Sequence, residues 1–335
     1  MKGKVQIETV SSIVLKDNPL GDPRRRDIPV YLPPSYGTTR GRRYPVLYYL
    51  PGFTGTSRGT LNYNPWKENI AERFDRLIEE GKSPEAILVI ADGFTAYGGS
   101  QYLNSTATGR YEDFLVYEVV GYIDDKHSTV RHPEGRAVIG KSSGGFGALS
   151  VATRHPETFL HVVSHSGDMG FDACYVSDFY KFVGALEKYD GSPAKLLAAF
   201  KASRTKDGFD HGAINTFAMA ACYSPNEKSP FGFDLPCDPR TGELIPAVWK
   251  RWLAHDPVHT AAKNAGVLRR MKTLWFDAGT KDEFYLHLGA RRFSDALKAA
   301  KVRHTYEEHD KGHFDMAERL DKSLPLLASR ARRIG

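Results

Sequence analysis

The stretch GRAVIGKSSGG, from Gly135 to Gly145, decides how the rest of the chain is interpreted, because two catalytic signatures overlap in it. Counted from Gly135, it has the spacing of a phosphate-binding loop, in which Ser142 would be a magnesium ligand. Counted from Gly140, it has the pattern Gly-x-Ser-x-Gly, in which Ser142 would be a nucleophile. The two interpretations require the preceding strand in different places.

The order of strand and loop favours the nucleophile. A phosphate-binding loop follows its strand, and the loop itself lies between the two glycines. In this chain RHPE, residues 131–134, is typical of a turn, whereas RAVI, residues 136–139, is typical of a strand. The sequence therefore predicts a strand that ends at Gly140, a sharp turn around Ser142 and a helix that begins at Ser143. Small residues flank such a serine because the strand and the helix approach each other closely.

Apolar runs of strand character alternate with helix-like patterns along the chain. This alternation predicts an α/β fold with a mostly parallel sheet and helices on both faces, in a single domain over residues 1–335. The predicted strands are 28–32, 45–50, 86–90, 136–139, 161–164, 273–276 and 302–307. The predicted helices are 66–80, 110–125, 143–154 and 284–301.

One interval, from about residue 169 to residue 272, interrupts the alternation. It contains helical patches at 176–186 and 194–202 but no convincing strand, and it is too long for a simple loop of a compact domain. We interpret it as a mainly helical cap that is inserted between two strands of the sheet.

A serine at its ordinary pKa is a weak nucleophile, so Ser142 requires a histidine as base and an acid that orients the histidine. Asp282 lies in the loop after the predicted strand 273–276 and is our choice for the acid. Asp277, at the end of that strand, and Glu283, at the start of the next helix, are its rivals.

His313 is our choice for the base, because it follows a glycine after the last predicted strand and precedes the final helix. His309 is the rival for this role. The order serine, acid, histidine is the one found in the fold that carries Gly-x-Ser-x-Gly.

Acyl transfer also requires hydrogen-bond donors for the oxyanion. The turn LPGFTG, residues 50–55, follows an early predicted strand, and we predict that the backbone N–H groups of Phe53 and Ser143 supply these donors. Residues in the loops at strand ends are predicted to contact the substrate: Thr54, Tyr97, Tyr102 and Asp168.

Together these segments resemble the esterase branch of the α/β-hydrolases, which holds esterase D-type enzymes, enterochelin esterases, feruloyl and acetylxylan esterases and the antigen 85 mycolyltransferases. The resemblance spans most of the chain and is carried by residues 30–36, 44–52, 92–93, 98–100, 104–105, 111–115, 139–145, 155–157 with Phe159, 277–279 with Asp282, and 312–313. It implies the α/β-hydrolase fold. Two positions depart from the family pattern: members commonly have methionine in place of Ser143 and histidine in place of Pro51.

We therefore expect a serine carboxylic-ester hydrolase with Ser142, Asp282 and His313 as its triad. It would act through an acyl-enzyme on a small-molecule ester, without a cofactor or metal. The sequence does not choose among feruloyl or aryl, siderophore and thioester-like substrates. An acyltransferase on the same triad and a non-catalytic binding protein on the same fold stay open as alternatives.

Composition excludes several other classes. The net charge of +6 comes from short, scattered basic clusters, so we expect no nucleic-acid partner. No apolar run approaches the roughly 20 residues that cross a bilayer, so we expect no membrane partner. The three cysteines lie far apart and the N-terminal sequence lacks an export signal, which predicts a cytoplasmic protein with reduced thiols. A homo-oligomer is compatible with the sequence but is not indicated by it.

Overall fold

The central sheet is the feature that positions every other part of the molecule in the computed structural model, which describes residues 1–38, 40–315 and 317–331. The strands in those residues are β1 (Lys4–Ser11), β2 (Arg25–Leu32), β3 (Val46–Leu50), β4 (Ile87–Ile90), β5 (Asn104–Ser105), β6 (Gly109–Arg110), β7 (Arg136–Lys141), β8 (His161–His165), β9 (Thr273–Gly279) and β10 (Thr305–His309). Eight of them form one sheet in the order β1-β2-β4-β3-β7-β8-β9-β10, and β5 pairs with β6 in a small hairpin.

The sheet is parallel from β4 to β10, whereas β2 runs antiparallel to both β1 and β4. The β7 strand lies near its centre, between β3 and β8. In the register, Gly140 on β7 is level with Leu50 on β3 and with Ser164 on β8. The carboxyl ends of these three strands therefore meet at one edge of the sheet, next to Ser142.

Helices cover both faces of the sheet. In the described residues they are α1 (Ile70–Glu79), α2 (Tyr111–Asp113), α3 (Val120–Lys126), α4 (Ser143–Arg154), α5 (Phe171–Cys174), α6 (Val176–Leu186), α7 (Pro193–Ala202), α8 (His211–Tyr223), α9 (Pro246–Leu253), α10 (Pro257–Leu268), α11 (Leu286–Ala299) and α12 (Leu320–Ala331). A π-helical stretch, Phe114–Val119, joins α2 to α3.

Two separate apolar cores lie on the two faces. On one face, Val46, Val138 and Phe276 pack with residues of α4, α10 and α11. On the other, Leu47 and Ile139 pack with residues of α1 and α12. Because successive side chains of a strand point to opposite faces, strands covered on both sides must be apolar throughout, which explains the continuous apolar runs in the sequence.

The segment between β8 and β9 contains helices α5 to α10 and, within the described residues, no strand. Its own apolar core includes Phe179, Phe182, Phe217 and Trp252. Its last helix, α10, instead packs through Ala261 and Leu268 into the core that α4 and α11 form on one face of the sheet. The role of the segment as a cap stays a prediction.

Candidate active site

Ser142 occupies the sharp turn between β7 and α4. Its backbone has φ 57° and ψ −129°, a conformation that residues other than glycine rarely adopt and that costs roughly 1–3 kcal/mol. Hydrogen bonds hold the residue on both sides: its N–H donates to the carbonyl oxygen of His165 at 2.9 Å, and its own carbonyl oxygen accepts the N–H of Phe146 at 3.0 Å. The surrounding chain thus fixes the strained turn.

The glycines of the motif are required by close contacts between backbones. A Cβ on Gly140 would lie 2.1 Å from the carbonyl oxygen of Gly144, and a Cβ on Gly144 would lie 1.9 Å from the carbonyl oxygen of Leu50. The strands β3 and β7 and the first turn of α4 therefore meet where no side chain fits, as the sequence predicts.

Asp282 and His313 form a buried pair. The Oδ2 atom of Asp282 lies 2.8 Å from Nδ1 of His313, and the two residues are only 3% and 4% exposed. Burial opposes ionisation of Asp282, but its hydrogen bond to His313 and the attraction between the two groups contribute to an opposite and larger effect, so the pKa of Asp282 lies below its ordinary value. The structure thus brings together the acid and the base that the sequence predicts.

The rival residues have other partners. Asp277 accepts hydrogen bonds from Nε of Arg319 at 2.7 Å and pairs with Nδ1 of His165 at 2.9 Å. The carboxylate of Glu283 accepts the backbone N–H of His313 at 2.6 Å. Among the described residues, His309 forms no hydrogen bond to a carboxylate.

Ser142 and His313 line the same cavity, which has a volume of about 320 Å³. We refer to it as the catalytic cavity. Within the described part of the chain, no hydrogen bond is formed by the Oγ atom of Ser142. The hydrogen bond between a nucleophile and its base is often long or poorly aligned until substrate binds.

The neighbouring serine is engaged elsewhere. The hydroxyl of Ser143 donates to Oδ2 of Asp168 at 2.9 Å, and the same oxygen accepts hydrogen bonds from Tyr175 at 2.8 Å and Gln101 at 3.0 Å. Burial raises the pKa of Asp168 in spite of these donors. Since the hydroxyl of Ser143 is directed to this buried carboxyl group, Ser142 is the better placed of the two serines to act as nucleophile.

Two backbone donors border the catalytic cavity. In the chain as described, neither the N–H of Phe53 nor that of Ser143 donates to a protein acceptor, and both residues line the cavity. The turn that carries Phe53 is supported from below, because the hydroxyl of Tyr102 donates to the carbonyl oxygen of Pro51 at 2.9 Å. These are the two N–H groups that the sequence predicts for the oxyanion.

The four predicted substrate contacts differ in position. Thr54, which has a φ of 63°, and Asp168 line the catalytic cavity. Tyr97 lines a neighbouring apolar cavity instead. Tyr102 is 5% exposed and lies beneath the turn, so it borders only a small void there and not the catalytic cavity.

Several residues of the cavity wall were not predicted from the sequence: Lys141, Asp178, His211, Asn215, Phe284 and Phe314. Lys141 is part of the Gly-x-Ser-x-Gly motif, and burial lowers the pKa of its ammonium group. Asp178, His211 and Asn215 come from α6 and α8 of the insertion, where no motif distinguishes a residue of the wall from one of the helix core.

A second hydrogen-bonded set of a serine, a histidine and an aspartate lies on the face of the sheet that α12 covers. Nε2 of His165 is 2.9 Å from the hydroxyl oxygen of Ser323, and Nδ1 is 2.9 Å from Asp277. All three residues are at most 2% exposed. The carbonyl oxygen of His165 also accepts the backbone N–H of Ser142, so this set of residues connects α12 to the turn at Ser142.

The structure indicates no metal site and no membrane-spanning helix in residues 1–38, 40–315 and 317–331. No group of three potential metal ligands is present there. His161 interacts with Thr273 and with the carbonyl oxygen of Glu134, and His165 is engaged as described above. No helix in these ranges is long and apolar enough to cross a bilayer.

Comparisons with known proteins give a family match and several partial relatives. A family model described as "Putative esterase" matches residues 22–318. The esterase Rv1288 of Mycobacterium tuberculosis is 33% identical over 139 residues, which are 41% of this chain and 28% of that protein. The uncharacterized protein YbbA of Bacillus subtilis is 23% identical over 165 residues, which are 44% of this chain and 58% of that protein. The chain thus spans less than two thirds of the length of each of these relatives.

Solved structures resemble the chain over nearly its whole length. A ferulic acid esterase superposes with a TM-score of 0.61 at 22% identity, covering 98% of this chain and 99% of that one. An S-formylglutathione hydrolase from Agrobacterium tumefaciens gives a TM-score of 0.59 at 16% identity, covering 98% and 96%. At these identities the likeness concerns the fold, and it confirms the predicted α/β-hydrolase architecture.

Proposed function

The chain belongs to the esterase family, and from this premise we propose that it is a serine carboxylic-ester hydrolase that acts through an acyl-enzyme on a small-molecule ester. One observation carries the proposal. Ser142, in its strained turn, borders the same cavity as His313, which is paired with Asp282 at 2.8 Å. This is the arrangement in which a histidine can take the proton of a serine hydroxyl while an acid holds the imidazole.

In the proposed mechanism, the Oγ atom of Ser142 attacks the ester carbonyl, and Nε2 of His313 accepts the hydroxyl proton. Asp282 keeps Nδ1 of the imidazole protonated, so that Nε2 is the basic nitrogen. The tetrahedral oxyanion accepts hydrogen bonds from the N–H groups of Phe53 and Ser143.

The tetrahedral intermediate collapses when the bond to the leaving alkoxide breaks and His313 returns the proton to that oxygen. A water molecule then attacks the carbonyl carbon of the acyl-enzyme while His313 takes its proton. The bond between that carbon and Oγ of Ser142 breaks, and His313 returns the proton to Oγ. The products are a carboxylic acid and an alcohol, and the residues of the chain carry out both steps without a cofactor.

The experiment that tests the proposal measures hydrolysis of 4-nitrophenyl esters, from acetate to octanoate, by the wild type, Ser142→Ala and Ser143→Ala. We expect Ser142→Ala to lower kcat by at least about 10⁴-fold, because the covalent step is lost. We expect Ser143→Ala to stay within about tenfold of the wild type, since its backbone N–H is kept and its hydroxyl only contacts Asp168.

A fluorophosphonate probe provides a readout that does not depend on the choice of ester. It should label the wild type and Ser143→Ala but not Ser142→Ala. A wild type that is inert and unlabelled would favour a binding protein, and full activity of Ser142→Ala would place the nucleophile elsewhere. Product analysis with added alcohol separates hydrolysis from acyl transfer, since a transferase forms the new ester rather than the acid.

A further inference from the structure

A second and larger cavity adjoins the catalytic cavity. It has a volume of about 720 Å³, compared with about 320 Å³ for the catalytic cavity. The two share three wall residues: Phe53, Thr54 and His211. The rings of Phe53 and His211 meet edge to face, with 5.3 Å between their centroids, so the shared wall is built by side chains. The two cavities are therefore neighbours that are divided by side chains and not by a layer of backbone, and a ligand that reaches from one to the other has to pass these rings.

The wall of the larger cavity is mainly apolar and aromatic. It includes Leu20, Phe94, Tyr97, Phe200, Phe209 and Ile214. Sites of several hundred cubic ångströms with such walls accommodate drug-sized apolar groups. The catalytic cavity differs from it in character, because Asp168, Asp178 and Asn215 line that wall. The catalytic cavity also has Phe284 and Phe314 in its wall, so its lining is mixed, and the larger cavity is the more uniformly apolar place for the apolar part of a substrate.

Two lysines complete the wall of the larger cavity. The ammonium nitrogen of Lys201 lies 5.5 Å from the ring centroid of Tyr97, and that of Lys206 lies 4.4 Å from the ring centroid of Phe200. Lys206 also donates to the carbonyl oxygen of Ser203 at 2.8 Å and to that of Phe200. Within the described residues, no carboxylate forms an ion pair with either lysine. Two positive charges without counterions therefore border an apolar space.

We propose that the ester substrate carries an apolar arm that ends in an anionic group, with the arm in the larger cavity and the anion at Lys201 and Lys206. The inference rests on the proposed function and adds the substrate class to it. Both lysines are exposed to solvent. An arm that ended in a methyl group would make no use of their charge, and an arm that ended in a cation would be repelled by it. A carboxylate, sulfate or sulfonate at the end of the arm matches both the charge and the apolar surroundings.

Binding to Ser142→Ala tests the proposal without catalysis. The probes are N-phenyl-1-naphthylamine and 8-anilinonaphthalene-1-sulfonate, which differ by one sulfonate group, and fluorescence titration gives both affinities. We expect the sulfonate to bind more tightly by roughly three- to tenfold, as expected for one or two exposed ion pairs. Adding Lys201→Gln and Lys206→Gln should remove this preference and leave the binding of the neutral amine unchanged.

Two control variants separate the larger cavity from the rest of the surface. Lys188→Gln with Lys195→Gln removes the same charge from exposed positions that do not line the cavity, and it should keep the preference. Leu20→Trp fills part of the cavity and should weaken both probes, since Leu20 is a half-buried wall residue. Equal affinity of the two probes for Ser142→Ala, or a preference that survives loss of Lys201 and Lys206, would overturn the proposal.

Hydrolysis then tests the same preference during turnover. The matched esters are 4-nitrophenyl octanoate and the mono-4-nitrophenyl ester of suberic acid, which have the same chain length but end in a methyl group and a carboxylate. In the wild type we expect kcat/KM for the suberate ester to exceed that for the octanoate ester by roughly three- to tenfold. In the double variant Lys201→Gln with Lys206→Gln, the two values should be equal. Turnover of 4-nitrophenyl acetate reports the triad alone, so failure of the proposed function would be seen there first.

Discussion

The imidazole of His313 and the carboxylate of Asp282 lie 2.8 Å apart, and both are almost completely removed from solvent. The neighbouring acid, Glu283, also holds His313, but through the backbone N–H at 2.6 Å and not through the ring. Two adjacent carboxylates thus act on one histidine in different ways. Asp282 contacts the ring at Nδ1, and Glu283 accepts the hydrogen bond of the backbone.

Neutralising these two acids should therefore have unequal effects. We expect Asp282→Asn to lower kcat for 4-nitrophenyl acetate by roughly 10³- to 10⁴-fold with little change in KM, because the wrong imidazole tautomer is favoured. Glu283→Gln removes the same charge but keeps an oxygen that can accept the N–H of His313, so we expect a loss below about tenfold. Asp310→Asn, at an exposed position in the loop that carries His313, is the control. Equal losses for Asp282→Asn and Glu283→Gln would show that charge, and not orientation, is what His313 requires.

The nucleophile turn should not tolerate a methyl group. In Gly144→Ala the new Cβ would lie 1.9 Å from the carbonyl oxygen of Leu50, so β3 and α4 must separate. We expect the free energy of unfolding to fall by about 3 kcal/mol or more, the range of severe core disruptions, as measured by urea denaturation. Gly184→Ala, in α6, meets no atom within 4 Å and should raise it by roughly 0.5–1 kcal/mol. A Gly144→Ala protein as stable as the wild type would mean that the turn is looser than the contacts imply.

Asp277 should make stability depend on acid pH. Burial opposes its ionisation, but the charge and hydrogen bond of His165, together with those of Arg319, place its pKa below the ordinary value. A carboxylate with a lowered pKa stabilises the fold above its ordinary pKa of about 4, and the contribution disappears as the pH falls through the pKa in the folded state. We expect Asp277→Asn to cost roughly 3–5 kcal/mol near pH 7, because it removes the buried negative charge that His165 and Arg319 contact.

Urea titrations from pH 7 to pH 3 test this sign. The difference in unfolding free energy between the wild type and Asp277→Asn should shrink as the pH falls below about 4, because the unfolded wild-type chain then binds a proton at Asp277 that the folded protein does not bind. Asp295→Asn, whose side chain is 75% exposed in its ion pair with Lys298, should leave the urea midpoint unchanged at every pH. A difference that stays constant over the whole range would attribute the effect to packing and not to charge.

Tyr102 should act through the turn that it supports. Tyr102→Phe removes the hydrogen bond to the carbonyl oxygen of Pro51 and leaves that oxygen unpaired, at a cost of roughly 1–3 kcal/mol. Because Phe53 follows two residues later, we expect kcat to fall by about tenfold, with a smaller change in KM, as its N–H shifts from the oxyanion. Tyr48→Phe is the matched control, since the buried hydroxyl of Tyr48 has no partner in the described residues. A Tyr102→Phe enzyme with unchanged kcat would separate the turn from catalysis.

Much of the architecture was predictable because strands buried on both faces must be apolar. Each predicted strand is present, with ends that differ by at most three residues, and α4 and α6 have the predicted bounds. The strand β1 was missed. In the described residues, it lies at the edge of the sheet and pairs with β2 alone. Its polar residues, among them Lys4 and Glu8, interrupt any apolar run in the sequence. Edge strands give a weak signal because only part of their surface is buried.

The candidate site was predictable where backbone geometry constrains the residue type. The spacing of Gly140, Ser142 and Gly144 follows from contacts that exclude side chains, and the family match confirms the resemblance that these motifs indicate. The walls were less predictable. His211 and Asp178 line the catalytic cavity because α8 and α6 pack over it, and that packing depends on contacts between residues far apart in sequence.

The presence of a serine, a histidine and an aspartate in contact does not by itself identify an active site, as the set of Ser323, His165 and Asp277 shows. A hydroxyl, an imidazole and a carboxylate lie in a hydrogen-bonded row here, as a catalytic triad would have them. Their two distances of 2.9 Å would not distinguish this set from a catalytic one. What separates the two sets is access: His313 lines the catalytic cavity, whereas His165 is buried beneath α12 and does not line it. The same three kinds of side chain therefore tie a helix to the sheet in one place and, in our proposal, hydrolyse an ester in the other.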